Sequence, residues 1–377
     1  MRPMSFAMLV ALILTSAAFP KPAGKDDPDK DEPFACRTGA ARETLLRELG
    51  GTAQSEAAVA RGLKWITSQQ APDGHWALDG AFKDKGAAND VAGTAFGLLP
   101  LLGAGHTHKA SKTNPYDTQI KKGLEFLKRR QDAKKGDFGG GMYAHALASL
   151  AVCEAYGLTK DPAIRPVAQK AVNFIVTAQH ATNGGWRYAP GQEGDTSVTA
   201  WEVQVLKSAQ LARLDVPDIT IKRAILYLNN SMNPMDNGYG YVGIQSTPSM
   251  SAAGLLCRQT LQGWGPNKQE VVGCVKNHVL PQMPAGANPP KHAYLYYYAT
   301  LAMRNYGGDN WKTWNQAMRD SLVKTQHPLD KSADAGSWSS AGDQQGQAGG
   351  RLMITSLNLL TLEVYYRYPL AGRPAKE

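Results

Sequence analysis

The segment Gly62-Leu63-Lys64-Trp65-Ile66, followed by Gln69-Gln70 and then by Asp73-Gly74-His75-Trp76, decides the fold, because looser copies of it recur along the chain. The copies share all or part of one order: an apolar run, a glutamine, and a turn that joins glycine to an aromatic residue. They begin near Gly123, Ala171, Ala224, Val271 and Ala317. A pattern that recurs along the chain in this way is typical of proteins that stack one supersecondary unit many times.

Each unit predicts a pair of helices. In the first segment the apolar residues recur at steps of three and four, the period of an amphipathic helix. The segment after the turn is more apolar and richer in small residues, and a helix that is apolar on most sides must be buried nearly all round. These second segments are Thr94 to Leu102, Ala144 to Ala155, Val198 to Leu211, Ala252 to Leu261, Ala293 to Met303 and Ile354 to Tyr365.

A closed ring satisfies both kinds of helix, with the buried helices inside and the amphipathic helices outside. Alternation of the strand type is absent from the sequence. We therefore predict an all-α fold, an α/α toroid of about six helical hairpins. Its inner helices should begin near Asp90, Met142, Asp195, Ser249, His292 and Leu352.

The turns have a recognisable chemistry. Glycine allows the positive φ that is needed just past a helix end, and a glutamine amide can bond the backbone groups that helix ends leave unpaired. We interpret the aromatic residues of the turns as structural ties between neighbouring hairpins; an aromatic ligand cage is the alternative. These residues are Trp76, Phe138, Trp186 and Trp338.

Composition and the N-terminus set the broad class of protein. The chain has 377 residues and is 43% hydrophobic, which excludes disordered and collagen-like chains. The apolar run from Phe6 to Leu14 is too short to span a bilayer. We interpret residues 1–18 as a secretory signal, with a short membrane anchor as the alternative. This predicts a secreted or periplasmic protein with no stable membrane span after signal removal, a charged linker and N-terminal extension over residues 19–50, and the toroid over residues 51–370.

Charge and cysteines give weaker information. There are 41 basic and 32 acidic side chains, and the basic clusters Arg129–Arg130 and Lys134–Lys135 have no interleaved aromatic residues, so we predict no nucleic-acid binding. Export would place the four cysteines in an oxidising compartment. Cys257 and Cys274 fall on consecutive predicted helices and could pair, but the sequence leaves the pairing open, and free buried thiols are the alternative.

The pattern Gln-x-x-Asp-Gly-x-Trp at Gln70 to Trp76 resembles the QW-type repeat of terpenoid cyclases and the related repeat of protein prenyltransferase β-subunits. The resemblance covers roughly residues 55 to 368. It implies a toroid with an apolar central cavity that is reached from one end of the inner helices. It also implies an apolar isoprenoid-type ligand.

The resemblance suggests catalytic candidates. Squalene–hopene cyclases carry Asp-x-Asp-Asp-Thr-Ala at the start of an inner helix, and Asp90 and Asp195 match the first Asp of that motif. The proton-donating position is Ala92 or Ser197 here. We therefore expect both aspartates to cap helices, and we keep them, with His292, as the catalytic candidates.

Prenyltransferases hold zinc with an Asp and a Cys on one inner helix and a His on the next. The corresponding helices here open with Ser249-Met250-Ser251 and with His292. One ligand does not bind zinc, although Cys257 lies further along the same helix. We predict no metal and no cofactor.

Aromatic and histidine side chains near the predicted cavity are the ligand-binding candidates, with tight helix packing as the alternative. They are His145, Trp201, Tyr294 and Tyr298. The sequence thus favours an exported toroid that accommodates an isoprenoid-type ligand. The cyclase proton-donor motif and the prenyltransferase zinc ligands are both incomplete in it. The alternatives are a non-catalytic interaction scaffold, whose protein partner the sequence does not indicate, and a secreted polysaccharide lyase or hydrolase, which would need paired carboxylates or a basic triad.

Overall fold

The computed structural model describes residues 33–285 and 291–368, so the predicted signal over residues 1–18 lies outside it. The described residues form thirteen α-helices and no strand beyond two isolated bridges, which confirms the all-α prediction. A short 3₁₀ turn, Ala35–Arg37, and helix α1, Gly39–Glu48, make up the N-terminal extension. Within these residues, no helix combines the length and the apolar character that a bilayer crossing requires.

Twelve helices alternate between an outer and an inner ring. The outer helices are α2 Ala53–Ser68, α4 Asp117–Arg130, α6 Arg165–Ala178, α8 Asp218–Ser231, α10 Gln269–Cys274 and α12 Gly308–Thr325. The inner helices are α3 Asp90–Gly103, α5 Met142–Thr159, α7 Thr196–Leu211, α9 Pro248–Gln262, α11 Ala293–Tyr306 and α13 Gly346–Leu362. Each inner helix packs against the next, and α13 packs against α3. The ring of six hairpins is therefore closed, as predicted.

Two hairpins are irregular. Helix α10 passes into a π-helical turn, Val275–Val279, and then into a 3₁₀ turn, Leu280–Gln282, in the unit that begins near Val271. Helix α13 is interrupted at Gly350, where φ is 61°. The regular part of α13 begins after that glycine, close to the predicted start at Leu352.

Glutamine side chains join neighbouring hairpins at four of the six junctions of the ring. The Gln70 amide Nε2 donates to the carbonyl of Gly74 in its own turn and to that of Gln119 on α4, both at 2.9 Å. Three other glutamines repeat this bridge: Gln131 to Val167, Gln179 to Thr220 and Gln326 to Ala58. The amides thus bond a carbonyl of their own turn and one near the start of the next outer helix, and not the unpaired carbonyls of a helix C-terminus as expected.

The turn aromatics connect the outer ring to the inner ring. The indole Nε1 of Trp76 donates to the Ile66 carbonyl near the end of α2, at 2.7 Å. The backbone N–H of Trp76 donates to Oγ1 of Thr94 on α3, at 3.2 Å. The same backbone bond joins Trp186 to Thr199, Tyr239 to Ser251, Trp338 to Thr355 and Phe138 to the ring of His145. The aromatic residues are thus structural ties between the two helices of one hairpin, whereas the sequence predicted ties between neighbouring hairpins.

The N-terminal extension closes the end of the ring at which the inner helices finish. Arg37 is fully buried and pairs with Glu154 of α5 at 2.7 Å, while Arg367 contacts the same carboxylate at 3.0 Å. Burial alone would raise the pKa of Glu154, but the charges of Arg367 and Arg37 outweigh it and hold the pKa below its ordinary value. The four cysteines are free thiols, so Cys257 and Cys274 are not bridged.

Candidate functional site

A cavity of about 440 Å³ lies at the opposite end of the ring, where the inner helices begin. All six inner helices contribute side chains from their N-terminal halves: Ala92 and Phe96, Tyr143 and Ala144, Ser197, Ser249 and Met250, Tyr294 and Leu295, and Met353. The loops before these helices form its mouth, where Ala87, Ala88 and Tyr188 are exposed. All six hairpins thus contribute to this cavity.

The walls of this cavity are mainly apolar. Leu78, Phe96 and Leu295 are buried side chains that face it, with Met250 and Met353 beside them. Polar groups lie towards the mouth, where His292 and two glutamine amides border the opening. Among the described residues, no Asp or Glu lines the cavity. The arrangement can bury an apolar ligand and hydrogen-bond a polar end of it, since small-molecule sites combine apolar walls with few polar groups.

Aromatic rings make up the floor. Trp201 is fully buried beneath two lining tyrosines, with its ring centre 6.0 Å from that of Tyr143 and 6.4 Å from that of Tyr294. It stacks on Tyr297 at 5.4 Å, and Tyr298 packs 4.8 Å from Tyr294. Burial raises the pKa of the Tyr294 and Tyr298 hydroxyls. The floor therefore presents π faces and protonated hydroxyl groups.

A pair of tyrosines marks one side of the mouth. The hydroxyls of Tyr188 and Tyr241 are 2.6 Å apart. The guanidinium of Arg187 lies 6.0 Å from the ring centre of Tyr188 and 5.9 Å from that of Tyr241, within the range of a cation–π contact. Burial and the hydrogen bond with Tyr188 raise the pKa of Tyr241.

Asp195 lies directly behind this wall and caps α7, as predicted. Its Oδ1 accepts hydrogen bonds from the backbone N–H of Val198 at 2.9 Å and from the hydroxyl of Ser197 at 2.7 Å. The carboxylate is fully buried, and Oδ2 lies 3.9 Å from Nε of Arg187. Ser197 lines the cavity and separates it from Asp195.

The expectation that Asp90 caps a helix is wrong. The N-cap of α3 is Asn89, whose Oδ1 accepts a hydrogen bond from the backbone N–H of Ala92 at 3.0 Å. Asp90 is the first helical residue, with an exposed side chain 4.0 Å from the ring of His75. Asn89 and Asp90 are adjacent and both residue types can cap a helix, but Asn89 is the one with the extended backbone that a cap needs.

The other predicted residues separate into two groups. His292 and Tyr294 line the cavity, whereas Trp201 and Tyr298 lie beneath its floor. His145 is not brought to the cavity. Its Nδ1 accepts from the N–H of Phe138 at 3.2 Å, and its Nε2 donates to the Ala171 carbonyl on α6 at 3.1 Å. It thus occupies the position that Ser or Thr takes in the other ties.

Sequence reasoning missed Tyr188 and Tyr241, although the repeat contains a signal for them. Each stands two positions after the turn aromatic of its unit, Trp186 and Tyr239. Leu78 stands two positions after Trp76, and it also lines the cavity. This position therefore marks the wall and mouth in the first, third and fourth units, which keep a bulky side chain there, whereas the second unit has Gly140.

A metal or cofactor site is not evident in the part of the chain that the structure describes. There, no three His, Cys, Asp or Glu side chains lie close enough together to share a metal ion. His292 lies on the cavity, as the resemblance to prenyltransferases implies, but the helix that would supply the other ligands presents Ser249 and Met250. That the protein binds no metal stays a prediction.

Comparison with known proteins shows the fold. No model of a protein family matches the sequence, and no curated protein matches it. Among solved structures, the GH76A α-1,6-mannanase from Salegentibacter sp. HEL1_6 is similar with a TM-score of 0.58 and 12% identity, over 83% of this chain and 98% of the mannanase. A family 76 glycoside hydrolase from a bovine Bacteroides thetaiotaomicron strain has a TM-score of 0.60 and 12% identity, over 83% and 78%.

A type II terpene cyclase, MstE from Scytonema, is similar to the same degree. Its TM-score is 0.56 and its identity 14%, over 83% of this chain and 98% of the cyclase. One structure of a cyclase variant contains geranylgeranyl dihydroxybenzoate, and one of a mannanase variant contains α-1,6-mannotriose. At these identities the similarity shows that this chain shares the α/α toroid with both classes of enzyme.

Proposed function

We propose that the protein binds an isoprenoid-type ligand in the central cavity, with the apolar chain of the ligand against Phe96, Leu295 and Met353. The observation that carries this proposal is the lining itself: apolar walls, an aromatic floor, and no carboxylate among the described residues that border the cavity. Transfer of a hydrocarbon chain from water to such a surface is favourable by about 0.8 kcal/mol for each buried CH₂ group.

The size and the mouth of the cavity support the same ligand class. A volume of about 440 Å³ lies within the range of small-molecule sites. The hydroxyls of Tyr188 and Tyr241 and the ring of His292 can hydrogen-bond a polar end group at the mouth. The terpene cyclase with a similar fold binds a geranylgeranyl compound, which supports a prenyl chain as the apolar part.

Binding without protonation-initiated cyclisation is part of the proposal. Protonation of an alkene needs a carboxylic acid that reaches the ligand and is kept protonated by its surroundings. Asp195 is one candidate, but it does not line the cavity, and its Oδ1 caps α7 and accepts from the hydroxyl of the lining residue Ser197. Asp90 is exposed beside His75.

A glycoside hydrolase is the competing function, because the fold is equally similar to family 76 hydrolases. A glycosidase of the common type places two carboxylates on either side of the scissile bond. The described lining of the central cavity contains no such pair. The aromatic and amide groups at its mouth could still contact a sugar, so the experiment must test both ligand classes.

A competition titration distinguishes them. Purified protein is titrated with a fluorescent geranylgeraniol analogue, and unlabelled geranylgeraniol or α-1,6-mannotriose is then added. We expect geranylgeraniol to displace the probe and mannotriose to leave it bound. Ala88→Trp fills the mouth and should weaken probe binding, whereas Ala181→Trp, a matched change on an exposed turn away from the cavity, should not. Displacement by mannotriose alone, or equal loss in both variants, would refute the proposal.

A further inference from the structure

A second cavity, of about 690 Å³, lies at the opposite end of the ring from the isoprenoid site. It is bordered by the end of α1, the end of α11 and the first turns of α12. None of its lining residues belongs to the central cavity. A ligand bound there would therefore occupy a different site from the proposed isoprenoid ligand.

One wall of this second cavity is a firmly held turn. Three side chains of α12 bond the backbone carbonyls at the end of α1: Trp311 donates to Leu49 at 3.2 Å, Asn315 to Gly50 at 3.1 Å, and Arg319 to Gly50 at 2.6 Å. Trp311 and Asn315 are themselves buried. The cavity is thus part of the packed structure and keeps a fixed shape.

Positive charge converges on the cavity from three separate elements. Arg47 comes from α1, Arg304 from α11, and Lys312 and Arg319 from α12, while Glu48 is the one acidic residue among the described lining. Arg304 is buried and donates to the carbonyls of Tyr365 and Tyr368, so its charge is fixed in place.

Two of the other cations, Arg47 and Lys312, are available to a ligand, whereas Arg319 is only 16% exposed and already bonds Gly50 and Asp320. Arg47 is exposed on α1. Lys312 contacts Asp309 at 2.8 Å; both side chains are more than half exposed, and the carboxylate lies outside the lining. An exposed ion pair of this kind contributes only about 0 to 1 kcal/mol, so a multiply charged anion can compete for Lys312.

We propose that this second cavity binds a phosphate group, either as inorganic phosphate or as a phosphomonoester. A phosphate offers oxygen acceptors in several directions, which suits cations that approach from three elements, whereas a carboxylate is satisfied by one arginine. The amides of Asn305 and Gln316 also line the cavity and can bond further oxygen atoms of the ligand.

Isothermal titration calorimetry on the purified protein tests the proposal. The ligands are inorganic phosphate, glucose 6-phosphate, glucuronate and glucose, at one matched ionic strength. We expect saturable binding of phosphate or glucose 6-phosphate, weaker binding of glucuronate and none of glucose. Tighter binding of glucose 6-phosphate would identify a phosphomonoester, and equal affinity would identify free phosphate.

Substitutions locate the site. Arg47→Gln and Lys312→Gln change exposed side chains, so both variants should keep the circular dichroism and melting temperature of the parent protein. Each should weaken phosphate binding about tenfold, because a lost bond to a charged group removes roughly that factor. Lys128→Gln, an exposed matched change on α4, should alter the affinity less than about twofold. Absence of saturable binding, glucuronate binding as tight as that of glucose 6-phosphate, or equal effects of Arg47→Gln and Lys128→Gln would overturn the proposal.

Discussion

The amide Nε2 of Gln326 donates a 2.8 Å hydrogen bond to the backbone carbonyl of Ala58, which joins the last outer helix to the first. The same amide also bonds the Gly336 carbonyl at 2.8 Å, and its oxygen accepts from Nε of Arg61 at 2.9 Å. Gln70, Gln131 and Gln179 make the equivalent bridge between consecutive hairpins. The contact that links two adjacent units is thus also the contact that closes the ring.

Removal of this bridge should destabilise the whole toroid. Gln326→Ala leaves two buried carbonyls without their amide donor, so we expect a loss of about 2 kcal/mol in the free energy of unfolding. Gln54→Ala, on the exposed face of α2, is the matched control and should change stability by less than about 0.5 kcal/mol. Urea unfolding measures both. Equal values for the two variants would show that Gln326 does not support ring closure.

The two helix caps at the cavity mouth give a second prediction. Asp195→Ala and Asn89→Ala should each lose roughly 1 kcal/mol of stability, because each removes the acceptor for an N-terminal backbone N–H. Asp195→Asn should keep most of that stability, since asparagine caps about as well as aspartate. Asp90→Ala should have almost no effect. Thermal unfolding of the four variants checks the assignment, and a larger loss for Asp90→Ala than for Asn89→Ala would reverse it.

The buried pair between Arg37 and Glu154 ties the N-terminal extension to the ring. Arg37→Ala leaves the fully buried Glu154 carboxylate with one arginine, so we expect the variant to lose about 3 kcal/mol or more. Lys324→Ala, an exposed change on α12, is the control. A loss no greater than that of the control, measured by urea unfolding at neutral pH, would show that the extension is not an integral part of the domain.

Glu363 makes stability depend on pH. Burial raises its pKa well above the ordinary value, although Arg367, Arg42 and Arg37 act in the opposite direction and Glu56 adds to the rise. A raised pKa favours the protonated form in the folded state. The contribution of protonated Glu363 to stability is therefore complete below the pKa of glutamate in the unfolded chain, about 4.3. This contribution is lost as the pH rises towards the pKa of Glu363 in the folded protein.

Glu363→Gln should remove this dependence, because glutamine cannot ionise. We expect the variant and the parent protein to be equally stable near pH 4. Above that pH, the variant should become relatively more stable by up to about 1.4 kcal/mol per pH unit. Glu193→Gln, at an exposed position, is the control and should follow the parent at every pH. Parallel stability curves for Glu363→Gln and the parent would contradict the prediction.

Much of the fold could be predicted from the sequence, because the repeat, the helical period and the glycine turns are local signals. The starts of α3 and α5, at Asp90 and Met142, agree with the structure for this reason. The pair between Arg37 and Glu154 could not be predicted, since 117 residues separate its partners and no periodic pattern links them.

The candidate site was less predictable. The spacing between a turn aromatic and its partner on the inner helix varies, from 18 residues for Trp76 and Thr94 to 7 for Phe138 and His145. The sequence therefore did not reveal that His145 occupies a Thr position in the ties. Trp201 illustrates another limit, because helical spacing places it on the inward face without distinguishing a cavity wall from the floor beneath it.

Photoaffinity labelling tests the proposed isoprenoid site most directly. A geranylgeraniol analogue with a diazirine near the end of its prenyl chain is bound to the protein, irradiated, and its attachment sites are mapped by peptide mass spectrometry. We predict labelling on the inner walls, at Phe96, Leu295 or Met353, and loss of the label when unlabelled geranylgeraniol is in excess. Labelling confined to residues outside the central cavity, or labelling that excess geranylgeraniol does not reduce, would contradict an isoprenoid ligand in this cavity.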